Sequence, residues 1–319
     1  MNRYVKHLFF TFFVLLILTS CHENSTLLEP KIFYFPQERH IKTLPSPFIP
    51  LAREEKETMW GKEILIAQSF AREMDLYRAI TAYKRAKILL PSVMKERVWQ
   101  IEYSILLCYY LGHKYQEVVE SFEDSDLKNV PETFPAYINL LLILYDSYQR
   151  RDNIARAQAI LNLIEKQDPE LARDLVLGTS INEGVLSAIQ FLSEMEPVNI
   201  EAIQFLDDFC TNAKSVRKAQ ALNAILPGAG YYYVGQKKSA FTSFIINSLF
   251  IWASYEFFDR GYIAAGLITT SLEAGWYIGG INGAGLAAKA YNEAYYSECG
   301  KDLMIRKKLF PVLMFQYAF

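Results

Sequence analysis

From residue 53 to 195, apolar and small positions recur every three or four residues, and this spacing predicts a body made only of α-helices. A self-similar unit runs through it. Counted from Trp60, the unit offers Ala67, Phe70, Ala79, Tyr83, Ala86 and Pro91. Counted from Trp99 it offers Leu106, Tyr109, Val118, Phe122 and Ser125, and from Ile138 it offers Tyr145, Tyr148, Ala157, Leu161, Ile164 and Pro169. The spacing is 39 residues, twice. Small residues let two antiparallel helices approach, aromatics fill the space beside them, and proline ends the second helix. A further helix pair is predicted near 180–195 and 198–212 without this signature, as a degenerate repeat or a cap.

After residue 213 the pattern changes. Ala219 to Leu226 is an apolar helical lead, broken by Pro227, Gly228, Gly230 and Gly235. Two apolar stretches come next, Ala240 to Phe258 and Gly261 to Ala288, separated by Asp259 and Arg260. Their lengths suit a bilayer span, and so short a connection predicts an antiparallel transmembrane hairpin. Before residue 53, Pro30, Pro36, Pro45, Pro47 and Pro50 interrupt any helical period, and 21–52 reads as a tether. At the start, Arg3 and Lys6 precede an apolar run, Leu8 to Leu18, too short to cross a membrane and ordered like a secretory signal. The domains expected are therefore a signal segment 1–20, a tether 21–52, a repeat body 53–213, a membrane hairpin 214–298 and a tail 299–319.

Leu18-Thr19-Ser20-Cys21 resembles the lipobox of bacterial lipoproteins, and the resemblance makes Cys21 the acylated, palmitate-bearing N-terminus of the mature chain. The alternative is an uncleaved signal anchor. Both readings place the rest of the chain outside the cytoplasm. The 39-residue unit resembles the tetratricopeptide repeat, in which the first helix of each unit lines a concave groove. That resemblance implies a partner-binding face at Gln68 and Arg72, then Tyr103, Leu107 and Tyr110, then Asp146, Gln149 and Arg150. A groove with an aromatic middle and polar ends suits a peptide or a helix, and a plain solvated face is the competing reading. Leu226 to Gly235, with Trp276, Tyr277, Gly279, Asn282, Gly283, Ala284 and Asn292, resembles the membrane segment of envelope-associated bacterial repeat proteins, except that Tyr231 stands where that pattern has glutamine.

Within the predicted hairpin, Asn247 and Glu273 fall at nearly equal depth from the turn and are expected to pair across it, as interhelical glue or as part of a proton path. Ser271, Gly275, Gly279, Gly283 and Ala287 form a small-residue stripe on the other face. The stripe packs either against the Ala219 to Leu226 helix folding back through the Pro-Gly break or against a second copy, giving a homo-oligomer. The tail carries Arg306, Lys307 and Lys308 and ends in Leu313-Met314-Phe315-Gln316-Tyr317-Ala318-Phe319, whose period of two predicts a short strand or a membrane-lying segment.

Composition narrows the function classes. Of 319 residues 51% are hydrophobic, high for a soluble chain and low for a polytopic one. Net charge is −2, falling to −4 once Arg3 and Lys6 are removed, and no basic tract exists to hold nucleic acid. Apart from Cys21, Cys108, Cys210 and Cys299 have no metal-binding spacing, and Cys210 with Cys299 is the one disulfide pairing to consider. No nucleophile, phosphate-loop or zinc motif is present. The expectation is a non-enzymatic, cofactor-free, lipid-anchored scaffold facing the periplasm on the inner or outer membrane, touching membrane lipid and envelope proteins or peptides. The alternative is a membrane subunit of a transport or protein-insertion complex with the hairpin as its active part. Orientation is contested, because Lys237 and Lys238 at the hairpin mouth favour the cytoplasmic side while the signal segment favours export.

Overall fold

A computed structural model of the chain describes residues 28–30, 32, 38–91, 93–195 and 198–319. The signal segment and Cys21 lie outside the described residues. Among the described residues the protein is all-α, with no strand. The helices are α1 (Glu38–Thr43), α2 (Arg53–Glu57), α3 (Met59–Arg72), α4 (Leu76–Leu89), α5 (Lys95–Leu111), α6 (Tyr115–Glu123), α7 (Tyr137–Gln149), α8 (Ile154–Gln167) and α9 (Pro169–Glu183). They continue with α10 (Leu186–Glu194), α11 (Ile200–Asn212), α12 (Val216–Ile225), α13 (Ala229–Val234), α14 (Lys237–Asp259) and α15 (Ile263–Arg306). The described residues divide into two compact units. The first comprises those of Phe33–Ser180 with Lys301–Phe319, and the second comprises Ile181–Gly300 with the few before Phe33.

The first unit is a series of helical hairpins, α3/α4, α5/α6 and α7/α8, and each closes with the same turn. Met74, His113 and Asp152 have φ of 63°, 57° and 55°, left-handed backbone at a 39-residue interval. Each left-handed residue donates its N–H three residues back, to Ala71, Tyr110 and Gln149, and the next residue donates five back, to Phe70, Tyr109 and Tyr148. These paired bonds are the Schellman closure that satisfies the last carbonyls of a helix. Asp75 and Asn153 then cap the helices that come after, by accepting from the N–H of Arg78 and Arg156. Inside the hairpins Ala67, Ala79, Ala86 and Ala157 are fully buried, so the backbones approach closely, and Tyr83 and Leu161 fill the space beside them. In the second hairpin Leu106 and Val118, larger than the alanines of its neighbours, are buried as well.

Two segments outside the repeats belong to this unit. Residues 41–51 lie within the expected tether yet dock on the hairpins, with Ile41 and Leu51 buried and the Phe48 ring 5.6 Å from that of Tyr103. Arg97 holds them in place: its Nη1 donates to the carbonyl of Ile49 and its Nε and Nη2 fork onto the Glu55 carboxylate at 2.9 and 2.7 Å. The tail is neither a strand nor a free membrane-lying segment. It forms a 3₁₀ turn, Pro311–Leu313, and then irregular coil with bends at Met314 and Gln316, with Leu309, Phe310, Val312, Phe315 and Phe319 buried. Its alternating apolar side chains find pockets between helices, so no neighbouring strand is needed to cover them.

In the second unit Tyr296 is fully buried between Phe205 and Phe209, at ring separations of 5.1 and 5.2 Å, and its hydroxyl donates to the Ile181 carbonyl. The Pro-Gly break lets α12, α13 and α15 meet at an alanine core of Ala219, Ala284, Ala287 and Ala288. Gly228 supplies left-handed backbone, φ 91°, and donates its N–H to Asn223 Oδ1 at 2.9 Å. At Gly230 a Cβ would stand 2.2 Å from the Ala219 carbonyl oxygen, so only glycine fits. Asn292 pairs its amide with the Lys214 backbone, donating at 2.9 Å and accepting at 2.7 Å, which fixes the entry to α12.

The hairpin α14/α15 corrects the spanning expectation. Among the described residues no helix is long and apolar enough to cross a membrane. Length is not the reason, since α14 has 23 residues and α15 has 44; Thr242, Ser243, Asn247, Ser248, Ser254 and Glu256 dilute the first stretch, and Thr269, Thr270, Ser271 and Glu273 the second. Cys108, Cys210 and Cys299 are free thiols, so the Cys210 to Cys299 pairing is not formed.

Candidate functional site

The residues expected to bind a partner lie on, or at the end of, α3, α5 and α7, the first helices of the three hairpins. On α5, Tyr103, Leu107 and Tyr110 are buried, so the aromatic middle expected from the sequence is covered rather than open. Phe48 and Phe134 pack on Tyr103, and the chain's own tail covers Tyr110. The Phe315 ring lies 5.6 Å from Tyr110, and Phe310, Pro311 and Val312 share a small pocket with Tyr110, Asp146 and Arg150. Phe319 shares a second pocket with Ile41, Leu44, Ala71 and Arg72. Tyr110, Asp146 and Arg150 thus come together at one pocket, and Arg72 lies at the other. Gln68 is half-buried, and Gln149 donates instead to the Tyr145 hydroxyl at 3.1 Å.

Asn139 contributes the most specific contact on this face, and sequence reasoning passed it over. Only 1% exposed on α7, it donates from Nδ2 to the Tyr317 carbonyl at 2.8 Å and accepts at Oδ1 from the Gln316 N–H at 3.3 Å. One side-chain amide therefore reads two backbone groups of adjacent tail residues. Tyr103 holds the reader in place, its hydroxyl accepting from Asn139 Nδ2 at 3.3 Å. The missed signal was positional, because Asn139 is the second residue of the unit counted from Ile138. The Ala318 N–H adds a backbone bond to the Pro45 carbonyl at 2.9 Å.

The polar end of the face is a linked set. Tyr110 donates its hydroxyl to Asp146 at 2.8 Å, Asp146 accepts from Arg150 Nε at 3.0 Å, and the Arg150 guanidinium lies 4.9 Å over the Tyr115 ring. Burial, reinforced by the Asp146 carboxylate, pushes the Tyr110 hydroxyl well above its ordinary range, so it stays protonated as a donor. Burial and the Arg150 charge push His113 below the usual imidazole range, against the opposing pull of Asp146. The Cys108 thiol, buried in α5, is raised far from reactivity by desolvation. Nothing in the set pairs a nucleophile with a base, and among the described residues no group of metal-ligating side chains converges.

The hairpin presents the second candidate surface, and its polarity is inverted. On α14 the buried residues are Ala240, Asn247 and Ser254, seven apart, while Phe241, Leu249, Ile251, Trp252 and Tyr255 are more than half exposed. On α15 Glu273 is 8% exposed, whereas Ile263, Ile268, Leu272 and Trp276 face outward. The expected Asn247 to Glu273 pairing is not made. Asn247 Nδ2 donates to the Ser243 carbonyl one turn back, and Asn247 Oδ1, Ser254 Oγ and both Glu273 carboxyl oxygens are buried without a partner.

The glycine stripe divides in two. A Cβ at Gly283 would collide with the Tyr231 hydroxyl, one at Gly280 would stand 3.3 Å from the Asn223 amide nitrogen, and Tyr277 donates to the Ala224 carbonyl, so the lower stripe packs on the folded-back helix. Gly275 and Gly279 have nothing within 4 Å where a Cβ would be. The turn residues act structurally: Pro227 comes after the end of α12, Gly228 and Gly235 take left-handed backbone, and Gly230 permits close approach.

No protein-family model matches this chain, and neither do the curated proteins or the solved structures.

Proposed function

We propose that this protein is a non-enzymatic scaffold of the bacterial envelope, held to a membrane, that holds segments of partner proteins on the concave face of a tetratricopeptide-like repeat unit. The observation that carries the reading is Asn139, a buried side chain that grips the backbone of an irregular segment between the buried Phe315 and Phe319. Recognition through the backbone gives affinity without fixing sequence, and pockets such as those around Phe315 and Phe319 give preference. The lipobox-like quartet ending at Cys21 supports a lipid anchor, and the apolar exterior of α14/α15 supports a second contact in which the hairpin lies in the apolar layer without crossing it.

Photo-crosslinking in cells tests the reading. A crosslinking residue at Gln68 or Arg72, on the concave side, is expected to capture envelope proteins, while one at Tyr77 or Ile88, on the exposed surface of α4, is not. Equal capture from both surfaces, or none from either, would sink the scaffold reading. The buried, unpartnered oxygens of Glu273, Asn247 and Ser254 favour a second reading, a membrane subunit of a transport or insertion complex with the hairpin active. Glu273→Gln would then abolish the complex's activity while leaving assembly intact.

A further inference from the structure

Residues 309–319 of the same chain pack on the first helices of the hairpins, and the contacts have the form expected of a bound peptide ligand. Beyond the Pro311–Leu313 turn the tail makes no secondary structure of its own. Its main chain is held by Asn139 at Gln316 and Tyr317 and by Pro45 at Ala318. The buried Phe315 ring packs 5.6 Å from that of Tyr110, and the buried Phe319 borders a cavity together with Ile41, Ala71 and Arg72. Two lysines, Lys307 and Lys308, both exposed, separate this bound stretch from the end of α15, and Lys308 takes left-handed backbone at φ 57°. The join between helix and tail is a Schellman turn like those of the hairpins, with Lys308 donating to the Ile305 carbonyl and Leu309 to that of Met304, while the contacts beyond it are side-chain packing and three hydrogen bonds to the tail's backbone.

We infer that residues 309–319 are a built-in competitor that closes the concave face until a partner displaces it. The inference rests on the scaffold reading and adds the chemistry of the partner: a largely uncharged peptide that places two aromatic side chains four residues apart around backbone groups offered to Asn139. The bound stretch itself, Leu309 to Phe319, carries no charged side chain, and Lys42 and Arg72 line the cavity that Phe319 borders. The polar set Tyr110, Asp146 and Arg150 borders the Phe310 to Val312 part, where the backbone forms its 3₁₀ turn.

The probe is a fluorescent synthetic peptide with the sequence of residues 309–319, titrated into the full-length chain. The wild type is expected to bind it weakly, because the attached tail occupies the site at high local concentration. Phe315→Ser with Phe319→Ser, which keeps the tail attached but removes its anchors, is expected to bind at least tenfold tighter, and adding Asn139→Ala is expected to abolish that gain. Amide hydrogen exchange on the wild type guards against misfolding of the variants: excess peptide should accelerate exchange at the Ala318 and Gln316 amides. No gain in affinity by a variant with intact helical circular dichroism, or unchanged exchange at those amides, overturns the inference. Wild-type dimers that exchange tails between copies would also overturn it. Failure of the crosslinking test with success here would leave a self-closing groove without an envelope partner, so the two ideas fail separately.

Discussion

Gly230 and the pair Gly275 and Gly279 belong to one glycine-rich region, yet replacing them by alanine should move stability in opposite directions. At Gly230 a new Cβ would stand 2.2 Å from the Ala219 carbonyl oxygen, 2.7 Å from Ala284 Cβ and 2.8 Å from Asn223 Cβ. Ordinary contact begins near 3.4 Å, so the nearest pair is short by about 1.2 Å, and the obstacles include backbone and come from both α12 and α15. No single side-chain rotation relieves this. Overpacking of this kind costs about 1–3 kcal/mol, and a three-sided site with a backbone atom belongs at the upper end. About 3 kcal/mol lowers the melting temperature of a unit this size by roughly 10 °C. At Gly275 and Gly279 nothing lies within 4 Å, so alanine meets no obstacle and restores about 0.5–1 kcal/mol of helix propensity each, a rise of roughly 2–4 °C. Thermal unfolding of the detergent-solubilised full chain, followed by circular dichroism, checks both, since only the transition of the second unit should move. An unchanged melting temperature for Gly230→Ala would refute the close-packing argument. A loss at Gly275→Ala would mean that the open half of the stripe is covered by another copy, the oligomer reading of the sequence.

Other expectations are equally direct. Replacing Met74 or His113 by glycine relieves a left-handed residue at a Schellman turn and should stabilise the first unit by roughly 0.5 kcal/mol in urea denaturation, with less gain at Asp152, a residue type that tolerates this backbone. The Arg97 fork holds the Glu55 carboxyl below its ordinary value of 4.5, against the opposing effect of burial. This depressed pKa makes a contribution that is complete above the ordinary value and lost as pH falls through the folded one. Stability measured on the acid side of pH 4.5 should therefore fall more steeply for the wild type than for Glu55→Gln. At neutral pH that variant should lose about 2 kcal/mol, because it leaves a largely buried guanidinium without its carboxylate. Glu273→Gln removes a buried acid that has no partner and should raise the melting temperature, by about 1 kcal/mol in stability terms; a fall would mean the carboxylate is paired.

The repeat was legible because its grammar is local. Ala67, Ala79, Ala86 and Ala157 announce close helix packing through their size alone, and the 39-residue interval reappears in the three left-handed turns at Met74, His113 and Asp152. The fold-back of α12 onto the lower glycine stripe was legible for the same reason, as one of two contacts the Pro-Gly break allows. Long-range partners left no such mark. The tail's alternating Phe315, Tyr317 and Phe319 read equally well as a strand, since period two reports which side chains are buried and not what buries them. Asn247 and Glu273 were rightly placed inside the hairpin by depth and face, but whether two polar groups at equal depth bond depends on rotamers, and Asn247 turns back to Ser243. Span length misled for a simpler reason: counting residues between turns ignored how many of them are hydroxylated or amidated.

The contact between Asn139 and Tyr317 joins residues 178 apart, which gives the molecule a clock. Local hairpins such as α3/α4 form from neighbouring residues, whereas ordering the tail on the hairpins must wait for closure of a very long loop, the slowest kind of step in a folding reaction. Throughout that interval Tyr110 lacks the cover that Phe315 gives it in the finished fold. Refolding should therefore end with a late phase seen by tyrosine fluorescence after helix content is complete, and aggregation during refolding should depend most on protein concentration before that phase has run.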